Sequence, residues 1–243
     1  MQTHFELELE KLKKRIVKMG NLAIQQTFIA TQILIHGDTL QKEVATKTED
    51  KIDKLDVKID KLCQRIFALN QPIASDLRFI MSSLQIGNDL ERIGDIALSI
   101  VNKSEAVREQ PEILEKFNIE QIITSSYNII QKSFQNYTAY NSENIYEIIA
   151  ECRNIKDESN KILDNIILEM SQKNEVIVVA TNLILILRQI ERIAGHSANI
   201  AESIYFINEG TIIKHNKRKE KPTHGIFDEN KQNITDDNSV NEA

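Results

Sequence analysis

The chain has 243 residues, 41% of them hydrophobic and 27% charged, which suits a globular protein with a substantial core. Aromatic residues are only 5% and Trp is absent, so that core is aliphatic, while seven Gly and three Pro leave room for few turns. The net charge of −6 argues against nucleic acid as a general partner.

The N-terminal stretch "MQTHFELELEKLKKRIVKMG" lacks the apolar core of a secretory signal. No apolar run approaches the roughly 20 residues of a membrane span, so a cytoplasmic location is expected. Phe5, Leu9, Leu12, Ile16, Met19 and Ala23 alternate steps of four and three, predicting an amphipathic first helix to about Ile35. Gly37 ends it, and Asp38 stands where it can cap the next. Val44, Thr48, Ile52, Leu55, Ile59, Leu62, Ile66 and Leu69 continue the rhythm through a second long helix, which "NQPIAS" at 70–75 breaks at Pro72. A third helix follows from about Ser75 to Glu105. Three antiparallel helices with short connections make a three-helix bundle over residues 1–107.

After a charged linker carrying Pro111 the pattern returns. Ile122, Ile123, Ser126, Ile129, Ile130, Ser133, Phe134 and Tyr137 mark a fourth helix. Ser142 can cap a fifth, with Ile145, Ile148, Cys152, Ile155, Ile162 and Ile166 inward. A turn at 171–175 leads to a sixth helix, about Glu175 to Ile207. The third and sixth helices match at a constant offset of 100: Leu84 with Ile184, Glu91 with Glu191, Arg92 with Arg192, Ile100 with Ile200. The fold expected is therefore all-α: two tandem antiparallel three-helix bundles related by an internal repeat, residues 1–107 and 108–210. Residues 211–243 lack apolar periodicity and read as a disordered polar tail, whose basic patch "KHNKRKEK" is most simply solvated. Cys63 and Cys152 form no CxxC pair and read as buried small hydrophobes.

The stretch "LERIGDIALSIV" at 90–101 puts Glu91 and Asp95 about 40° apart on the helix, on the side that carries Leu77, Ile80, Leu84 and Leu98. On the second helix Glu49, Asp53, Asp56 and Asp60 form a carboxylate line beside Ile52, Leu55 and Ile59. Crowded carboxylates repel one another and burial adds to the cost, so protonation, Arg or Lys partners, or a cation must offset it. An all-oxygen set prefers hard cations such as Mg, Mn, Ca or ferric iron. No Cys or His cluster supports a zinc-finger-like site. The plainer alternative is a solvated acidic face paired with Lys51, Lys54, Lys58 and Lys61 on the same helix. The corresponding stretch "IERIAGHSANIA" at 190–201 keeps Glu191 and replaces the second acid with Gly195.

"QPIASDLRFI" (71–80), "NDLERIGDIA" (88–97) and the echo "LRQIERIAGHSANIAE" (187–202) together resemble the PhoU family, over about residues 5–208. The resemblance implies a non-enzymatic cytoplasmic regulator of phosphate transport and homeostasis. Such a protein is a negative regulator of phosphate uptake and of the phosphate-starvation response. Its implied partners are the ATPase subunit of the ABC phosphate transporter and a sensor histidine kinase, so it meets the membrane only through them. A homodimer is also implied, as are metal ions (iron, manganese, magnesium or zinc), in a multinuclear cluster held by E/D-x-x-x-D motifs. Carried over, the first bundle's ligands are Glu49, Asp53, Glu91 and Asp95. In the second bundle the motif positions fall near Lys156 and Asn160, and only Glu191 remains. That bundle is expected to hold no cluster, or a weak ion through Glu191 with His196 or Asp157. Arg92 and Arg192 are either support for the acids or surface ion pairs. Two rival readings are a structural helical adaptor without metal and a di-iron carboxylate oxidase. The latter wants Glu-x-x-His motifs that the chain lacks.

Overall fold

The computed structural model describes residues 3–108 and 110–213, and no strand occurs among them. Helix α1 spans His4–His36. It starts in a capping box, Thr3 Oγ1 accepting from the Glu6 amide while the Glu6 carboxylate accepts from the Thr3 amide at 2.8 Å. It stops at Gly37, whose φ of 71° is left-handed backbone that favours glycine. Helices α2 (Lys42–Leu69) and α3 (Ala74–Val107) complete the first bundle. A short α4 (Glu112–Lys116) lies in the linker, behind Pro111. The second bundle is α5 (Ile119–Ala139), α6 (Ile145–Gln172) and α7 (Ile177–Glu209), closed by Gly210 at φ 67°.

The caps differ from the sequence-based expectation. Asp38 precedes a 3₁₀ turn, Thr39–Gln41, and accepts from Gln41 Nε2 at 2.6 Å instead of capping α2. Ser142 does not cap α6: its hydroxyl donates to Glu209 Oε1 at 2.6 Å, and Asn144 stands at the cap. Val44, Leu69 and Leu77, expected inward, are exposed; at Val44 the helix is covered on its other side, where Ala45 is buried and Gln26 of α1 donates to its carbonyl at 3.0 Å. Ile213 is buried, so packing continues past the expected boundary at 210; residues 214–243, with the basic patch, lie outside the described residues.

Residues 3–213 form one compact unit with a continuous aliphatic core. The bundles join chiefly along α3 and α7. Asp89 of α3 meets His196 and Asn199 of α7, at 2.8 and 3.1 Å, while Ser99 of α3 meets Gln189 of α7 at 3.4 Å. The helices therefore run antiparallel, and repeat-related positions exchange partners, 89 with 199 and 189 with 99, as an approximate two-fold axis requires. A second crossing joins α1 to α5, where the Phe134 ring sits on Gly20 and leaves no space for a Cβ. Among the described residues no helix is long and apolar enough to cross a membrane.

Candidate metal centre

The acidic site lies on the α2–α3 face of the first bundle, and Gly94 creates it. A Cβ at residue 94 would fall 2.9 Å from both Glu49 Oε2 and Ile52 Cδ1. Without that carbon α2 approaches α3 closely enough to bring the Glu49 carboxylate into the seam between them. Glu49 is 7% exposed, and neither of its oxygens accepts a hydrogen bond from a donor among the described residues. A buried, undonated carboxylate is costly when charged. Burial, the close approach of the Asp95 carboxyl, and the charges of Asp95, Asp53 and Glu91 push the Glu49 carboxyl up from 4.5 to about 8.

The neighbours share this strain. Asp53 is raised by burial, then by Asp95 and Asp50, with Lys54 opposing. Glu91 is raised by burial and by Asp95, with Arg92 opposing. Asp56 is raised by burial, then by Asp60 and Asp53, Arg92 again opposing. Arg92 is the cation on hand, Nε lying 3.4 Å from Glu91 Oε2 and NH1 3.3 Å from Asp95 Oδ2. One half-exposed guanidinium does not offset that many carboxylates. The same-helix ion pair recorded on α2 is Lys47–Glu43, at the helix start, and Arg65 turns to Glu8 of α1. Lys54 opposes the rise at Asp53 from a distance, and among the described residues none of Lys51, Lys54, Lys58 and Lys61 closes an ion pair with Asp53, Asp56 or Asp60.

The structure brings Glu49, Asp53, Glu91 and Asp95 together, but not as a closed ligand set. Among the described residues no group of three or more His, Cys, Asp or Glu is arranged to hold a metal ion. The donors still fit one chemically: they are all carboxylate oxygens, and those of Glu49 are orphaned in a buried seam.

The second bundle is built differently. Buried positions of α2 and α6 coincide at the offset of 100: Ala45 with Ile145, Thr48 with Ile148, Ile52 with Cys152, Leu55 with Ile155, Ile59 with Ser159, Leu62 with Ile162, Ile66 with Ile166. On this register the counterparts of Glu49 and Asp53 are Ile149 and Arg153, in place of the expected Lys156 and Asn160. Gly94 becomes Ala194, which is buried. Glu191 accepts from Arg188, whose NH1 lies 2.7 and 2.9 Å from its two oxygens. Arg192 turns instead to Gln189 Oε1 at 3.2 Å, and His196 is committed to Asp89. Lys156 and Asp157 are exposed. The role of Arg188 was not read from the sequence, although its place one turn before Glu191 on one helix face was the available signal.

Both cysteines are buried and free, and burial pushes each thiol up to about 12, which makes them poor nucleophiles.

A family model described as the PhoU domain matches residues 16–104 and again 119–204. The phosphate-specific transport system accessory protein PhoU homolog of Pseudomonas aeruginosa is 28% identical over 212 residues, 87% of this chain and 88% of that protein. The homolog of Aquifex aeolicus is 30% identical over 214 residues, 88% of this chain and 97% of that protein. The crystal structure of PhoU from Pseudomonas aeruginosa matches with a TM-score of 0.78 at 27% identity, covering 86% of this chain and 100% of that one. That of the phosphate transport system regulatory protein PhoU from Streptococcus pneumoniae matches with a TM-score of 0.76 at 25% identity, covering 86% and 99%.

Proposed function

The chain belongs to the PhoU family, and from that membership we propose that it is a negative regulator of phosphate uptake and of the phosphate-starvation response. It acts in the cytoplasm as a homodimer, by contact with the ATPase subunit of the ABC phosphate transporter and with a sensor histidine kinase. The observation that carries this reading is the match of the family model to both repeats, together with relatives named as transport accessory proteins along nearly their whole length. A non-enzymatic role is supported by the two buried, raised thiols and by the engagement of His196 with Asp89 rather than with a nucleophile. An oxidase of the di-iron type would need a histidine beside its carboxylates, and among the described residues no His groups with the acids of the first bundle to hold a metal.

The first bundle's acids are the regulatory cation site. Glu49, Asp53, Glu91 and Asp95 would hold iron, manganese, magnesium or zinc ions, and the bound charge would relieve their repulsion. Glu49 would supply the buried oxygens, Glu91 and Asp95, now paired with Arg92, would contribute from α3, and Asp53 would contribute from α2. A second reading, an adaptor that works by contact alone without metal, draws on the open arrangement of the acids.

Deletion of the gene, with intracellular phosphate and expression of starvation-induced genes followed in phosphate-replete medium, tests the regulatory role. Over-accumulated phosphate and a derepressed response are expected. Unchanged phosphate and a normally repressed response would overturn it. Complementation with D95A separates the readings: a chain that needs the cation fails to restore repression, and a contact adaptor restores it.

A further inference from the structure

We infer that Arg188 is a built-in cation: it does for the second bundle what an exchangeable metal ion does for the first, so that cation supply acts on one half of the molecule only. The inference rests on the reading of the first bundle as a cation site, and it begins from Glu191. That carboxylate survives in the repeat and its side chain is only 14% exposed. Both its oxygens face one guanidinium nitrogen of Arg188, and the same nitrogen donates at 3.2 Å to Asn160 Oδ1 on α6. Arg188 thus neutralises the acid and ties α7 to α6, the two things a cation bridging carboxylates of neighbouring helices would do.

The repeat makes the contrast specific. The counterpart of Arg188 in the first bundle is Asn88, neutral and exposed, and that of Asn160 is Asp60. Where the first bundle has Glu49, Asp53 and Asp95, the second has Ile149, Arg153 and Gly195. The acid survives next to the arginine that pairs with it, and at the other aligned positions the acids are gone. In the first bundle no tethered positive charge reaches Glu49, and its oxygens stay without donors. A tethered cation is present there too, Arg92 at Glu91 and Asp95, but it leaves the buried Glu49 unserved, so the two halves differ in whether fixed charge reaches every buried carboxylate of the seam.

Arg188 is 45% exposed, so the pair alone holds the hairpin modestly. The test reads local opening rather than global stability. Hydrogen exchange of the full-length chain is followed by mass spectrometry in chelator and in saturating manganese(II), for the parent, R188Q and R188K. Manganese is expected to slow exchange in α2 and α3 and to leave α6 and α7 unchanged. R188Q is expected to accelerate exchange in α6 and α7 about fivefold, the size of a partly exposed charged pair. R188K, which keeps the charge, retains most of the protection. In R188A, where the side chain is removed, millimolar guanidinium ion restores protection and manganese does not. Unchanged exchange of α6 and α7 in R188Q, or no rescue by guanidinium, would overturn the role of Arg188. A parent whose α6 and α7 respond to manganese as α2 and α3 do would overturn the asymmetry. If α2 and α3 ignore manganese while guanidinium still rescues R188A, the cation reading of the first bundle fails. The built-in charge then stands, and the contrast between halves is overturned.

Discussion

Replacing Glu49 with Gln isolates the electrostatic strain in the first bundle. The substitution keeps the size and removes the titration. In the folded chain the Glu49 carboxyl is raised from 4.5 to about 8, so between those values the native state holds a proton that the unfolded state has released. Stability therefore falls as pH rises through this window. Below pH 4.5 both states are protonated and the cost is absent; above 8 it is complete. For a group so thoroughly buried, the linkage relation places the cost on the order of 3 kcal/mol at pH 7 and 5 kcal/mol by pH 9. Side-chain rearrangement of the exposed Asp53 and Asp95 lowers both figures. E49Q is thus expected to be more stable than the parent by about 1–3 kcal/mol at pH 7 in chelator, and by nothing at pH 4. Urea denaturation of both proteins at pH 4, 5.5, 7 and 8.5, with chelator throughout, measures the difference. Saturating manganese should reverse the order, because the parent gains a bound ion and E49Q gains less. Stabilities that run parallel from pH 5 to 9 in chelator, or an E49Q that is the weaker protein there, would refute the picture of an unpaired buried carboxyl.

Other substitutions probe the surrounding construction. In D95A, metal per chain measured by elemental analysis after loading should fall to background, whereas E191A should retain the parent's content. Equal losses in the two would place metal in both bundles. In G94A the new methyl meets the Glu49 carboxylate and the Ile52 tip, both movable chain ends. Stability in chelator should hold or rise by up to about 1 kcal/mol from helix propensity, while manganese affinity measured by calorimetry drops. In G20A the methyl meets the buried Phe134 ring, which has no room to retreat. Overpacking of about 1–3 kcal/mol outweighs the roughly 1 kcal/mol of propensity, so urea unfolding should show a net loss. F134L in the same chain should recover most of it, and a G20A protein more stable than the parent would contradict the close crossing of α1 and α5.

The helices, their order and the repeat were legible along the chain because each depends on local periodicity. Apolar residues at steps of three and four define a buried stripe wherever the partner lies. Pro72 and Gly37 interrupt the backbone by their own geometry. The acid line Glu49, Asp53, Asp56 and Asp60 on α2 and the pair Glu91 and Asp95 on α3 followed from the same arithmetic, while the choice of Glu49, Asp53, Glu91 and Asp95 as one set came from the family resemblance. Tertiary structure decided matters that depend on distances between helices. Periodicity assigned Val44, Leu69 and Leu77 to the inner face, but only the packed bundle decides which positions a neighbouring helix covers, burying Ala45 and leaving Val44 exposed. Nothing local to Gly94 announces that its missing side chain admits Glu49 from another helix. The motif alone did not settle the register of α6 against α2; the match of buried positions did, and it put Ile149 opposite Glu49. Arg188 showed the same limit. Its spacing from Glu191 was visible, but an arginine on a helix can turn toward several partners, and only packing against α6 placed Asn160 where one nitrogen reaches both.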